Sequence, residues 1–211
     1  MQEKLCFYYS AMKGGKTSRI FSKIHDLEEI GQKVLLIKPG KDTKGENQIV
    51  NRLNQTRPVD ILLPSTSKIV TEETFDRIYE CSHIIVDEAQ FITPEQATEL
   101  WELNKSLNKP VTCFALKGNF RGDLFEGAAK LMGYADEIIE LDSNSLCSCG
   151  APAKFNARKV NGEFTMEGEE VVIDGSTANV EYQPLCGKCF YNKVYRKGKM
   201  GKCIKPKTRL S

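Results

Sequence analysis

Two periodicities alternate along the first 142 residues. Short apolar runs of strand length stand at "LCFYY" (5–9), "KVLLIK" (33–38), "DILL" (60–63), "HIIVD" (83–87), "VTCFAL" (111–116) and "DEIIEL" (136–141). Between them lie stretches with helical spacing. Ile20, Phe21, Ile24 and Leu27 fall on one helical face, and Gly31 supplies a stop before the next strand. In "TPEQATELWELNKSL", Thr93 is placed to cap, Pro94 takes the first helical position and Gln96 completes a capping-box pattern. Strands alternating with helices predict an α/β fold: a mostly parallel sheet with helices on both faces and a ligand site at the carboxyl ends of the strands.

The pattern changes near Ser143. From there to about residue 195 the chain has short strand-like pieces, glycines and paired cysteines, which reads as a small zinc-stabilised lobe. The final stretch, 196–211, carries seven basic residues and no acidic one, and reads as a solvated tail rather than a nucleic-acid arm.

Composition narrows the class. The chain has 211 residues, 40% hydrophobic and 27% charged, with a net charge of +2, so neither nucleic acid nor a membrane is expected as the main partner. The N-terminus enters an apolar strand with no basic leader, and no apolar run approaches the roughly 20 residues of a membrane span. A cytoplasmic protein is expected. Of eight cysteines, Cys6 and Cys113 lie inside apolar runs, where a thiol behaves as a small hydrophobe. Cys147, Cys149, Cys186 and Cys189 form two close pairs, and in a reducing compartment such pairs favour metal over disulfides. Four thiolates suit tetrahedral Zn²⁺ with no open position, although the first pair is one residue tighter than C-x-x-C.

The first strand leads into "SAMKGGKT", residues 10–17. A phosphate-binding loop of the form G-x-x-x-x-G-K-[ST] would have glycine where Ser10 stands. Gly14 and Gly15 allow a close backbone approach, Lys16 brings a positive charge, and the Thr17 hydroxyl can ligate Mg²⁺. Ser10 is compatible with the loop provided its backbone has no need of positive φ. The run ending in Asp87-Glu88 has the form of a second motif, in which the aspartate helps hold Mg²⁺ and the next carboxylate can take a proton from an attacking hydroxyl. The pair of motifs predicts a P-loop (RecA-like) ATP-binding domain over residues 1–142.

"FYYSAMKGGKT", "VDEAQF", "LKGNFRGDLFEGA" and the cysteine pairs, in that order, resemble the type II thymidine kinases, in particular the bacterial and phage members. The resemblance runs to about residue 195. It implies transfer of the γ-phosphoryl group of ATP to the 5′-hydroxyl of thymidine, with Glu88 as general base. It implies ATP contacts from Ser10, Ala11, Met12, Lys13, Gly14, Gly15, Lys16, Thr17, Asp87 and Gln90, and Mg²⁺ held by Thr17, Asp87 and Asp42. Phe120 matches the residue that stacks on the base, with Leu116 and Met12 lining the pocket. Tyr182 matches a tyrosine that meets the sugar, on a lasso-like segment covering the nucleoside. A homotetramer and feedback inhibition by dTTP are implied as well.

The chain departs from the family pattern in three places. About three additional residues lie between Ile173 and Tyr182, with Asp174 in place of glycine; Lys44 replaces an arginine after Asp42; and Asn156 stands where relatives carry a small or β-branched residue near the thymine methyl. Asn156 either hydrogen-bonds the base or faces solvent. Alternatives are a related kinase with another base preference, a nucleic-acid-dependent ATPase, since "DEAQ" is similar to helicase boxes, and a zinc-binding nucleic-acid module.

Overall fold

The computed structural model describes residues 2–40, 47–141, 145–168 and 179–197. In chain order the elements are β1 (Leu5–Ser10), α1 (Lys16–Glu29), β2 (Val34–Pro39), β3 (Gln48–Val50), β4 (Thr56–Pro58), β5 (Ile61–Leu63), α2 (Glu72–Glu80), β6 (His83–Val86), α3 (Pro94–Leu107), β7 (Val111–Leu116), α4 (Glu126–Tyr134) and β8 (Glu137–Glu140). Beyond them come β9 (Phe155–Val160), β10 (Glu163–Thr165), β11 (Val180–Leu185) and the short α5 (Gly187–Phe190). Among the described residues, no helix is long and apolar enough to cross a membrane.

Six strands form one parallel sheet in the order β5-β2-β6-β7-β1-β8. Strands buried on both faces read as continuous apolar runs, and β2 shows why. Its Leu35 and Ile37 join one core with Ile78 of α2, Ala97, Leu100 and Leu103 of α3, and Ala128 and Leu131 of α4. Val34 and Leu36 point the other way, into a second core with Ile20 and Ile24 of α1. The predicted fold class is therefore observed, with a sheet that is wholly parallel.

Local signals set the element ends. Thr93 Oγ1 accepts from the Gln96 N–H at 3.2 Å, and Gln96 Oε1 accepts from the Thr93 N–H at 3.0 Å, closing the capping box. Gln96 then donates through Nε2 to Pro64 O and Ser67 O, so one buried amide both starts α3 and holds the loop after β5. The β3–β4 hairpin, joined by Asn51–Gln55, lies where the hydrophobic pattern carries no strand signal: its strands are three residues each, with one buried side chain, Ile49.

After Leu141 the chain builds a second, smaller layer. β9 is the centre of a three-stranded antiparallel sheet, β10-β9-β11, packed through Ala157 and Leu185 on Phe190, Val194 and the cysteines. The Phe155 and Phe190 rings stack with centroids 4.7 Å apart.

One polar pair inside the main sheet has a consequence for stability. His83 is 5% exposed, and its Nε2 lies 2.8 Å from Thr112 Oγ1 on the neighbouring strand. Burial, with a smaller contribution from Lys23, lowers its pKa to about 4. An unfolded histidine titrates near ~6.5, so the unfolded chain binds the proton first. The contribution is intact above the unfolded pKa and is lost as pH falls toward the folded one. Going from pH 7 to pH 5 is expected to cost the wild type about 2 kcal/mol more than a His83→Gln variant. Urea unfolding of both proteins at the two pH values measures it; equal losses would mean His83 is protonated in the fold.

Candidate active site

Three neighbouring strands end side by side. Ser10 at the end of β1 pairs with Leu116 at the end of β7, and β6, on the other side of β7, ends at Val86 just before the acidic pair. The sheet register thus delivers the 10–17 turn, Asp87-Glu88 and the 116–120 loop to one edge.

The turn closes tightly on β1. Gly14 N–H donates to Ala11 O at 3.1 Å, and α1 begins at Lys16 with Gly15 as its N-cap. Left-handed backbone falls on Gly15 (φ 87°) and Lys13 (φ 62°), and Ser10 has no positive φ. Ser10 is instead buried, its hydroxyl donating to Ala11 O at 3.0 Å. Glycine is needed elsewhere: a Cβ on Gly14 would sit 2.5 Å from Ser10 Oγ and 2.8 Å from Ala11 O. The first N–H groups of α1 therefore open onto the turn, the arrangement that receives phosphate oxygens. Lys16 is buried and Thr17 half-buried at that helix start. Arg52, on the β3–β4 connection, donates to Lys13 O at 2.5 Å and steadies the turn from outside.

At the end of β6, Asp87 is only 4% exposed. Its N–H donates to Ile37 O at 3.0 Å, and its Oδ1 accepts from the Glu88 N–H at 2.8 Å. Burial, then the adjacent Glu88 carboxylate, push Asp87 up to about 7, while Lys16, that N–H and Lys38 draw it down. A cation bound beside it would favour the ionised form further. Glu88 is half-buried with left-handed backbone (φ 47°) and leads into a 3₁₀ turn, Ala89–Phe91. Gln90 in that turn is 2% exposed; its Nε2 donates to Glu88 Oε2 at 2.5 Å and its Oε1 accepts from the Leu116 N–H at 2.9 Å.

The smaller sheet supplies the opposite wall. Directly paired residues of antiparallel strands share a face, so Asn156 with Pro184 and Arg158 with Tyr182 stand on one side of β9-β11. Asn156 is 6% exposed, and its amide is taken by two backbone groups. Its Oδ1 accepts from the Met12 N–H at 2.7 Å, and its Nδ2 donates to Gly118 O at 3.0 Å. It thereby ties the 10–17 turn, the loop after β7 and the smaller sheet at one point. Met12, Leu116 and Tyr182 are half-buried around this junction.

Phe120 is 1% exposed and is covered by cations. The Arg158 guanidinium carbon lies 3.7 Å and that of Arg121 4.7 Å from its ring centroid. Both arginines also hold the chain that leads toward residue 169: Arg121 Nε donates to Met166 O at 3.1 Å, a second Arg121 nitrogen to Gly168 O, and Arg158 to Glu167 O. Gly168 has a positive φ of 100° there, a backbone conformation that residues with a side chain rarely adopt. Residues 41–46 and 169–178, with Asp42, Lys44 and Asp174, lie outside the described residues, as does most of the basic tail.

Three residues of this region were not among the sequence candidates. Arg121 lies within "LKGNFRGDLFEGA", next to a candidate aromatic, but was given no role of its own, and Arg158 carries no motif spacing. Lys38 is 2% exposed near Asp87. A lysine inside the otherwise apolar "VLLIKP" run was the available signal.

The sulfur atoms of Cys147, Cys149, Cys186 and Cys189 lie within 4.8 Å of one another, and Cys149 Sγ is 3.6 Å from Cys186 Sγ. Ligands about 2.3 Å from a tetrahedral Zn²⁺ stand roughly 3.8 Å apart, so the donor set fits that ion. The tight first pair is built on a turn in which Gly150 N–H donates to Cys147 O and Cys147 N–H to Ala151 O. Cys186 caps α5, its sulfur accepting from the Cys189 N–H. Cys6, Cys81 and Cys113 are not part of the cluster.

Comparison with known proteins gives a consistent result. The family profile described as Thymidine kinase matches residues 3–190. A thymidine kinase of Legionella pneumophila (strain Paris) is 34% identical over 98% of this chain and 95% of its own. One from Chromobacterium violaceum is 34% identical over 90% and 98%, and one from Rhodopirellula baltica 32% over 92% and 90%. A solved DNA replication initiation factor is similar at a TM-score of 0.40, with 13% identity over 66% of this chain and 40% of that one, too slight a likeness to bear on function.

The Asn156 junction is testable on its own. Asn156→Leu leaves the buried Met12 N–H and Gly118 carbonyl without their partner, which is expected to lower the unfolding free energy by about 2 kcal/mol. Denaturant unfolding reads the change; a loss under about 0.5 kcal/mol would show that water replaces the amide.

Proposed function

The chain belongs to the thymidine kinase family, and we propose that it transfers the γ-phosphoryl group of ATP to the 5′-hydroxyl of thymidine, releasing ADP and dTMP. The observation that carries this reading is the convergence of a phosphate-receiving turn and a half-buried carboxylate at adjoining strand ends.

In this mechanism the 10–17 turn holds the phosphates of ATP through its N–H groups and Lys16. Thr17, Asp87 and Asp42 would hold Mg²⁺, which neutralises charge on the phosphate oxygens. Glu88 accepts the 5′-hydroxyl proton as that oxygen bonds to the γ-phosphorus; the bond from phosphorus to the bridging oxygen breaks and its electrons leave with ADP. Positioning dominates such a transfer, since little covalent work falls to the protein.

Phe120 supports the base from behind, sharing its ring with Arg158, and the pocket is closed by Met12 and Leu116. Tyr182 stands on the same face of the smaller sheet as Arg158 and meets the sugar. Asn156 shapes the slot by fixing the Met12 and Gly118 backbones, so it sets base preference indirectly. The four cysteines would hold a structural Zn²⁺ that pins the start and end of the lobe carrying the covering segment. A cytoplasmic homotetramer inhibited by dTTP belongs to the same reading.

ADP release from Mg·ATP should rise with thymidine above deoxyuridine, deoxycytidine, deoxyguanosine or single-stranded DNA. Glu88→Gln should lower kcat by about 10²–10⁴-fold. Turnover with another nucleoside alone would redefine the pocket, and stimulation by DNA alone would overturn the kinase reading.

The metal has its own test. Purified protein should contain one zinc per chain by elemental analysis, and Cys149→Ser should reduce that content and lower the melting temperature. Full stability without zinc would remove its structural role.

A further inference from the structure

Gln90 is a buried side chain that touches both Glu88 and the strand beside it. Its amide orientation follows from chemistry. The Leu116 N–H can only donate, so the Gln90 oxygen must face it, and the amide nitrogen is left to face the Glu88 carboxylate. With 2% exposure, Gln90 has no open side from which a nucleotide could reach it without displacing one of these partners.

Glu88 needs such a brace. On a regular helix, side chains two positions apart diverge, and it is the left-handed backbone at Glu88 (φ 47°) that turns its carboxylate toward Gln90. That conformation is sparsely populated for a residue with a side chain and costs about 1 kcal/mol or more. It is held by the Glu88 N–H on Asp87 Oδ1 and by the Phe91 N–H on Glu88 O. Those bonds fix the backbone but leave the glutamate side chain three rotatable bonds. Gln90 supplies the missing constraint, and from its place in the turn after β6 it is itself anchored to the Leu116 N–H at the end of β7. Among the described residues Glu88 Oε1 takes no hydrogen bond, so one oxygen is held and the other is presented.

We infer that Gln90 is a positioning residue for Glu88: it fixes the carboxylate in the geometry for receiving the 5′-hydroxyl proton and locks it to the base slot through Leu116. The inference rests on Glu88 being the general base. It also gives Gln90 a role other than the nucleotide contact that the motif implies. A general base works only within about 3 Å of the proton it takes, and a displacement of about 1 Å can cost on the order of 10²-fold in rate.

The test is a double-mutant cycle on the full chain with Mg·ATP and thymidine, reading single-turnover rate, steady-state kcat and KM, and ATP affinity by calorimetry. Gln90→Met keeps length and volume and loses both hydrogen bonds. It should lower kcat by about 10–100-fold with ATP and thymidine affinities within twofold of wild type. In a Glu88→Gln background the same change should cost nothing further, because the group it positions is already gone. Gln90→Leu, which removes both hydrogen bonds with a different apolar side chain and adds no charge beside Glu88, should lose kcat likewise; it keeps the question answerable if the methionine variant folds poorly. An equal loss in both backgrounds, or weakened ATP binding in both, would overturn the inference. Undiminished turnover by Glu88→Gln alone would instead overturn the base assignment, before Gln90 is changed.

Discussion

A carboxylate 4% exposed has to be compensated, and the active edge of this protein is arranged around compensating Asp87. Desolvation alone would neutralise it. The protein answers with a backbone donor from Glu88 and with two buried lysines, Lys16 from the start of α1 and Lys38 from the end of β2. These cations come from elements on opposite sides of β6 in the sheet order, so the compensation exists only when the parallel register is formed. The same field that tolerates a buried aspartate is one that attracts phosphate and a divalent cation. Fold and chemistry thus share one electrostatic requirement.

The second requirement is attachment of the smaller sheet, and here hydrogen bonds do what apolar contact does elsewhere. Asn156 joins the 10–17 turn to the loop after β7, and Arg121 and Arg158 join Phe120 to the carbonyls of Met166, Glu167 and Gly168. Guanidinium groups suit this task because they stack on an aromatic face while their edges still donate in the ring plane. The Phe120 ring and the chain at Met166–Gly168 are therefore one mechanical unit.

Much of this was legible in the sequence because the relevant physics is local. The runs at 33–38 and 83–87 announce doubly buried strands, and Thr93-Pro94 with Gln96 announces the start of α3, which the structure forms with both capping bonds. The grouping of four cysteines was likewise readable from their pairing, even with the first pair tight. The β3–β4 hairpin was not legible, since three-residue strands with a single buried side chain leave no period to detect. Lys38, Arg121 and Arg158 escaped for a different reason. Lys38 and Arg121 meet partners 45 to 49 residues away, and Arg158 meets Phe120 at a separation of 38, contacts that no local spacing encodes.

Ser10 and Asn156 show how such long-range contacts change the meaning of a motif letter. A serine at the first loop position looks like a defect until the left-handed positions are seen to fall on Lys13 and Gly15, which leaves Ser10 free to pack under Gly14. Asn156 looks like a change of base recognition until its amide is found spent on two backbone groups. In both cases the side chain supports the backbone of the 10–17 turn. Phosphoryl transfer is mostly a matter of holding charged groups in line, and rigidity of that backbone limits how well they can be held. Residues that stiffen the turn therefore act on how well those groups are held.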